Sequence, residues 1–266
     1  MTDLWGGRFR EPVFVLTGDQ DWAPDWALQA MLDETIGAGV PLHLFVTNRS
    51  PVLDTANDPA LTRGIHPNFL PGSSHGGTPE AVIAHCLELV DRPTTVRCHS
   101  FFENTPVLGK LFANGLRADS NLGLFGQGGL VPLIHCTGLL RFPVFFEDDV
   151  FFNLADGALS LEPLRAALFS PGLKILNFHP SLVGLNAPSQ GHYDAARSEL
   201  FGPASGPHLE FGGRGTRTIL RELVAMIRAG GASFVSFESL AREVLAGLER
   251  TRGMTLYEWG RRSWAS

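Results

Sequence analysis

Residues 13–26 read "VFVLTGDQDWAPDW": an unbroken apolar run, one glycine, then three acids within seven positions, Asp19, Asp21 and Asp25. A short continuous apolar run closed by a turn signal is the pattern of a strand buried on both faces, as in a parallel sheet. Carboxylates set at the end of such a strand need a reason to stay charged there. Asp25 has a local one, because it opens a helical stretch whose dipole favours an acid in its first turn.

Working outward, short apolar runs alternate with helical patterns, and the fold class is α/β. Strands are expected over 13–17, 41–47, 64–68, 94–97, 174–178 and 232–236, and helices over 25–37, 78–90, 106–114, 216–228 and 237–251. Thr78-Pro79-Glu80 has the form of an N-cap followed by proline at the first helical position. The glycine- and proline-rich patches 71–77, 123–129 and 203–213 read as loops rather than boundaries, so residues 1–266 are taken as a single domain.

Composition narrows the function. A chain of 266 residues with 44% hydrophobic and 18% charged residues can bury a sizeable core. Its formal charge of −6, with no basic cluster beyond Arg261-Arg262, argues against a nucleic-acid partner. Three cysteines, Cys86, Cys98 and Cys136, have neither an even count nor CxxC spacing, so reduced structural thiols are expected rather than a disulfide framework or a cysteine zinc site. The N-terminus lacks a basic start and an apolar h-region, and no 18-residue uncharged apolar run occurs, so no membrane span and a cytoplasmic location are expected.

Polar residues collect at predicted strand ends: Asp19 and Asp21 after the first, His66 on the third, Arg97 and His99 at the fourth, His179 after "KILNF". In a parallel α/β fold ligands bind at those carboxyl ends. Any one such histidine is more often structural; their joint placement makes a candidate site. Two chemistries use Asp-x-Asp there. An aspartyl phosphatase would attack phosphorus through Asp19, but Ala23 stands where that pattern has Thr or Val. The acidic pair Asp148-Asp149 also precedes the only suitable lysine, Lys174, the reverse of the order required. A metal hydrolase divides the labour instead: Asp21 binds the cation, Asp19 takes a proton from the attacking water, and histidines such as His66 and His75 complete an Asp/His/His set with a position left open.

These residues resemble the polysaccharide deacetylases of the carbohydrate esterase type. "TGDQD" looks like that family's paired-acid motif, "GIHPNF" with "GSSHG" like its metal-histidine motif and "VRCHS" like its arginine motif. "GLRADSNL" resembles the strand and turn that follow, and "LNFHPSLVGLN" the final histidine motif, all in the family's order. The resemblance is closest to a subgroup associated with bacterial surface polysaccharides. It implies a distorted (β/α)7 barrel and a deacetylase acting on an amide-bearing saccharide or small molecule. It further implies a divalent metal, zinc foremost, on Asp21, His66 and His75, Asp19 as base, His179 as acid, and Arg97 paired with Asp19. Asp148 and Asp149 would orient Arg97 or His179, and Trp22 would line the pocket. One departure stands out: the family's His-x-x-x-His would place a histidine where Leu70 stands, and His75 is nine residues on, which leaves His99 as the rival third ligand. That broken spacing keeps a second class of function open, a barrel that binds a saccharide without catalysis.

Other features read as structural. "FGGRGTRTILREL" lacks the GK(S/T) ending of a phosphate loop and reads as a helix start capped by Thr216, with Arg214 and Arg217 left as candidates to meet an anionic group. The aromatic run 142–152 reads as core, as do Trp26 and the remaining histidines, with His192 and Tyr193 the exceptions to watch.

Overall fold

A computed structural model of the chain describes residues 5, 7–154 and 159–252. Its strands are β1 (Pro12–Asp19), β2 (Leu42–Val46), β3 (Leu61–Ile65), β4 (Thr95–Val96), β5 (Ala118–Asp119), β6 (Leu133–Ile134), β7 (Leu140–Arg141), β8 (Val144–Glu147) and β9 (Gly172–Phe178). They form one sheet in the order β6-β7-β5-β4-β3-β2-β1-β9-β8, parallel throughout except for β6 against β7. The opening stretch is an interior strand: β1 pairs with β2 on one side and β9 on the other, and all three are buried along nearly their whole length.

The order of strands forces the sheet to curl. β7 stands second and β8 ninth, a separation of about 34 Å in a flat sheet, yet only Phe142 and Pro143 lie between them, a reach of about 10 Å. The single stretch 140–147 therefore flanks β5 through its first half and β9 through its second, and the Gly123–Val144 bridge extends the contact. The result is the α/β barrel expected, with seven staves once β7 and β8 are counted as one and the edge strand β6 is set aside.

Helices α1 (Asp25–Thr35), α3 (Pro79–Leu87), α4 (Thr105–Ala113), α9 (Thr216–Ala229) and α10 (Phe237–Arg252) follow the predicted pattern. Between them lie α2 (Pro51–Thr55), α5 (Asp148–Leu154), α6 (Arg165–Leu168), α7 (Pro180–Leu185) and α8 (Gln190–Leu200). Thr78 caps α3, its Oγ1 accepting the Ala81 N–H at 3.3 Å. Thr216, in contrast, is the first helical residue of α9, and the cap position belongs to Gly215. A Cβ at Gly215 would fall 1.8 Å from the Asn186 carbonyl oxygen, so only glycine fits there, and the Thr216 hydroxyl donates instead to the Ala187 carbonyl at 3.0 Å.

Two strand expectations are corrected. The third strand runs over 61–65 rather than 64–68, because Thr62 and Arg63 interrupt the apolar signal although they pair in register with β2. The stretch 232–236 makes only a single bridge, Phe234 to Phe14, because β1 is free of β2 only below Leu16 and offers no longer edge. The run 142–152, read as core, supplies β8 and α5 and does bury Phe142, Phe145, Phe146 and Phe151. The Arg261-Arg262 pair lies outside the described residues.

His43 shows how a strand inside this barrel treats an ionisable side chain. Its ring nitrogens meet Thr62 Oγ1 at 2.7 Å and Thr95 Oγ1 at 2.9 Å, and burial, aided by the Arg97 charge, pushes its pKa down to about 3. A histidine neutral when folded and protonated when unfolded contributes stability above its unfolded pKa, and that contribution is lost as pH falls toward 3. Urea unfolding at pH 7 and pH 5 should show the wild type losing about 2 kcal/mol more than His43→Gln across that interval. Equal losses in both proteins would sink the assignment.

Candidate active site at the carboxyl end of the sheet

Asp19 is the last residue of β1, and it is only 3% exposed. Gly18 before it is closely enclosed: a Cβ there would come to 2.6 Å from the tip of the Met31 side chain and 3.1 Å from the Phe178 carbonyl oxygen. Arg97, 0% exposed just past β4, sends its guanidinium across the barrel to Asp19 Oδ1 at 2.9 Å. The same group donates to Thr17 Oγ1 at 3.0 Å, to Asn177 Oδ1, to the Ser120 carbonyl at 3.0 Å and to Ser120 Oγ at 2.7 Å, and it lies over the Phe45 ring at 4.5 Å. Asp19 Oδ2 accepts a second bond, from Asn177 Nδ2 at 3.0 Å. Both oxygens of the buried acid are thus held by donors, which is what a desolvated carboxylate requires.

Asp21 sits in a different setting. It and Trp22 have φ of +45° and +55°, and Ser100 and Phe101 beside His99 have +56° and +50°. Left-handed conformations in non-glycine residues persist where surrounding contacts over-determine them. Here Thr47 Oγ1 accepts the Asp21 N–H at 3.0 Å, while Gln20 Oε1 accepts the N–H groups of Thr47 and Asn48 at 2.9 and 3.1 Å. The turn brings Asp21 Oδ1 to 3.0 Å from His66 Nε2 and 2.9 Å from His99 Nδ1, with His179 Nε2 at 3.7 Å from its other oxygen. Burial alone would raise the Asp21 pKa, but the three histidines pull it well below the usual carboxylate value. The hydrogen bond to Asp21 in turn raises the pKa of His99, against the opposing effect of burial.

Among the described residues three groups bring potential ligand atoms within 4.8 Å of one another: Asp21-His66-His99, Asp19-Glu147-His179 and Asp148-Asp149-His179. The second has the Arg97 guanidinium 2.9 Å from Asp19, a cation already in place. The third is an orienting pair, since Asp148 takes His179 Nδ1 at 2.6 Å and its backbone N–H at 2.9 Å. The first fits a metal best, because both ring nitrogens of His66 are buried without a hydrogen-bond partner although Nε2 is so close to Asp21. Atoms that approach one another without forming a hydrogen bond are placed as ligands converging on a cation would be, and the mixed carboxylate and imidazole set suits zinc.

Of the two candidates for third ligand, His99 groups with Asp21 and His66, while His75 stands outside that group with its Nε2 buried and unpartnered. The loop carrying His75 does fold back over the site, but Nδ1 accepts the Asn68 N–H at 3.1 Å and the ring is held between Trp22, at 5.5 Å, and His85, stacked at 4.9 Å. Burial, with His85 beside it, pushes its pKa down to about 4. Trp22 also lies edge-on to His99 at 5.4 Å, so it borders the cluster.

His179 follows β9 and faces a cleft lined by Asp21, Asp149, Ser181, Leu182, Gln190 and Tyr193. Burial would lower its pKa, but Asp148, assisted by Asp149 and Asp21, raises it well above the ordinary value. Arg214 is engaged with Glu222, and Arg217 with Glu210 and the Val183 and Gly184 carbonyls; neither lines this cleft. Lys174 starts from the opposite end of the sheet, its Nζ donating to the Pro171 carbonyl at 3.1 Å, so it cannot serve Asp19 as a phosphatase lysine.

Two site residues escaped the reading of the sequence, Asn177 and Glu147. Asn177 lies two positions before His179 on a strand and so shares its face, and Glu147 is an acid closing an apolar strand; both signals were present.

A curled α/β barrel with acids and histidines gathered at its carboxyl end is an architecture that carries its active sites there. Residues 16–197 match the WbmS-like polysaccharide deacetylase family, and the chain belongs to it. A Bordetella bronchiseptica crystal structure, described as "a putative polysaccharide deacetylase involved in o-antigen biosynthesis", is 32% identical with a TM-score of 0.70. The match covers 83% of this chain and 91% of that one. No curated protein sequence matches at a significant level. Among the described residues no helix is long and apolar enough to cross a membrane.

Proposed function

We propose that this protein removes an N-acyl group, acetyl foremost, from an amino sugar or a related small amide, with a divalent metal, zinc foremost, held by Asp21, His66 and His99. The observation that carries the reading is the convergence of these three side chains around the unpartnered nitrogens of His66. When bound, the metal supplies Lewis acidity toward the water and the acyl oxygen. Asp19, fixed by Arg97 and Asn177, takes the proton of the attacking water. His179, its Nδ1 held by Asp148, gives a proton to the departing amine, which cannot leave unprotonated near neutral pH. The polar groups of Ser181, Gln190 and Tyr193 face the same cleft and suit a hydroxyl-bearing substrate. The assignment of the Bordetella relative to O-antigen biosynthesis points to a surface-polysaccharide sugar.

Metal analysis of the purified protein, combined with acetate release from a panel of N-acetyl sugars, tests the reading. The wild type should carry close to one equivalent of metal, lose activity to a chelator and recover it on readdition, and Asp21→Ala should lose both metal and activity. His99→Ala should lose metal and His75→Ala should retain it. A protein that binds no metal and releases no acetate would overturn this reading and favour a saccharide-binding barrel instead.

A further inference from the structure

The core of the site holds a buried acid that this mechanism does not use. Glu147, the last residue of β8, lies in register with Asn177 on β9, which in turn lies beside Thr17 on β1. The Asn177 amide joins four partners. Its Oδ1 accepts from the Arg97 guanidinium and from the Thr17 hydroxyl, the latter at 2.9 Å, while its Nδ2 donates to Asp19 Oδ2 at 3.0 Å and to Glu147 Oε1 at 3.1 Å. A guanidinium only donates, so the amide oxygen must face Arg97, and both amide hydrogens are then aimed at the two carboxyls.

We propose that Glu147 is a positioning residue that sets the Asp19 carboxylate through the Asn177 side-chain amide; for catalysis the inference rests on the deacetylase reading above. With Glu147 accepting one hydrogen, the amide plane is fixed and its second hydrogen points at Asp19 Oδ2. Without it, the β8 side of that amide is unanchored, and its hold on Asp19 Oδ2 rests on the Oδ1 bonds to Arg97 and Thr17 alone. The charged groups around Glu147 are Asp19 from β1, Arg97 from the β4 end, Asp149 from α5 and His179 after β9, and Asp148 adjoins it in the chain. Burial, reinforced by Asp149 and Asp19 against His179 and Arg97, pushes its pKa up to about 8. At pH 7 it is therefore neutral, and one NH2 group bridges a charged and an uncharged carboxyl rather than two anions. Above pH 8 a second negative charge develops beside Asp19.

Two measurements test this in the full-length, metal-loaded protein. In the first, Glu147→Ala should lower kcat at least tenfold with KM and metal content unchanged, and Glu147→Gln, whose amide oxygen still accepts from Asn177, should recover most of that loss. The wild-type kcat should fall above about pH 8, and the Gln variant should lack that limb. In the second, which needs no turnover, the Asn177 side-chain amide signals in asparagine-labelled protein should titrate with a midpoint near 8, a transition absent in Glu147→Gln. A Glu147→Ala variant that is merely less stable with full kcat, or an unchanged Asn177 titration in the Gln variant, would overturn the proposal. Wild-type protein without deacetylase activity but with the Asn177 titration intact would refute the activity reading and leave the clamp standing.

Discussion

Replacing Asp19 by asparagine is expected to lower turnover by about 10²- to 10⁴-fold, the range for loss of a positioned general base, with metal content unchanged. Asparagine preserves shape and an oxygen for Arg97, so the barrel should still fold. It presents an NH2 where Asp19 Oδ2 accepts from Asn177 Nδ2, so two donors would face each other and a modest drop in stability is expected. The decisive readout is the separation of effects, because Asp19 is the proposed base and lies outside the Asp21-His66-His99 group, its nearest approach being 3.8 Å to His66 Nδ1. Full activity in Asp19→Asn would remove it as base, and loss of metal would place it among the ligands.

Replacing Arg97 by methionine should have the largest effect on stability. Arg97 is wholly buried, and its loss leaves Asp19 as a buried anion short of a partner while Thr17, Asn177 and Ser120 lose a donor. Breaking a buried pair from one side costs about 3–5 kcal/mol, which in a chain of this size lowers Tm on the order of 10 °C. Arg97→Lys keeps the charge but cannot reach that set of acceptors with a forked group, and an intermediate loss is expected. Adding Asp19→Asn to Arg97→Met removes the stranded charge, so the double variant should be more stable than the sum of the two single losses implies. Calorimetry of the four proteins measures this directly; a Tm change of less than about 2 °C in Arg97→Met would show that water reaches the pair and that it is not the buried clamp described.

The metal test at Asp21, the pH dependence at His43 and the clamp at Glu147 probe different layers of one barrel. Loss of metal tests the reading of the site as a whole. His43 tests only the interior of the sheet. Glu147 tests how the sheet registers its polar residues, since Thr17, Asn177 and Glu147 stand side by side across β1, β9 and β8.

What could be read from the chain alone was set by local chemistry. The apolar run into "TGDQD" marked a buried parallel strand with acids at its end, "LNFHP" marked another, and both signals need only a few neighbouring residues. Asp19, Asp21, His66, Arg97, His99 and His179 were all named from strand ends, and the structure brings them to one end of the barrel. Tertiary structure decided what depends on ring direction and on strands distant in sequence. His75 was favoured by its place in a motif, yet its ring direction is set by Trp22, His85 and the Asn68 N–H. His99 takes the place beside Asp21 because the turn after β4, with Ser100 and Phe101 at positive φ, brings its Nδ1 there. The roles open to Asn177 and Glu147 exist only because the sheet curls until β8 stands beside β9, two strands from Asp19. Sequence spacing along a strand shows which face a side chain takes, and only the closed barrel determines what it meets there.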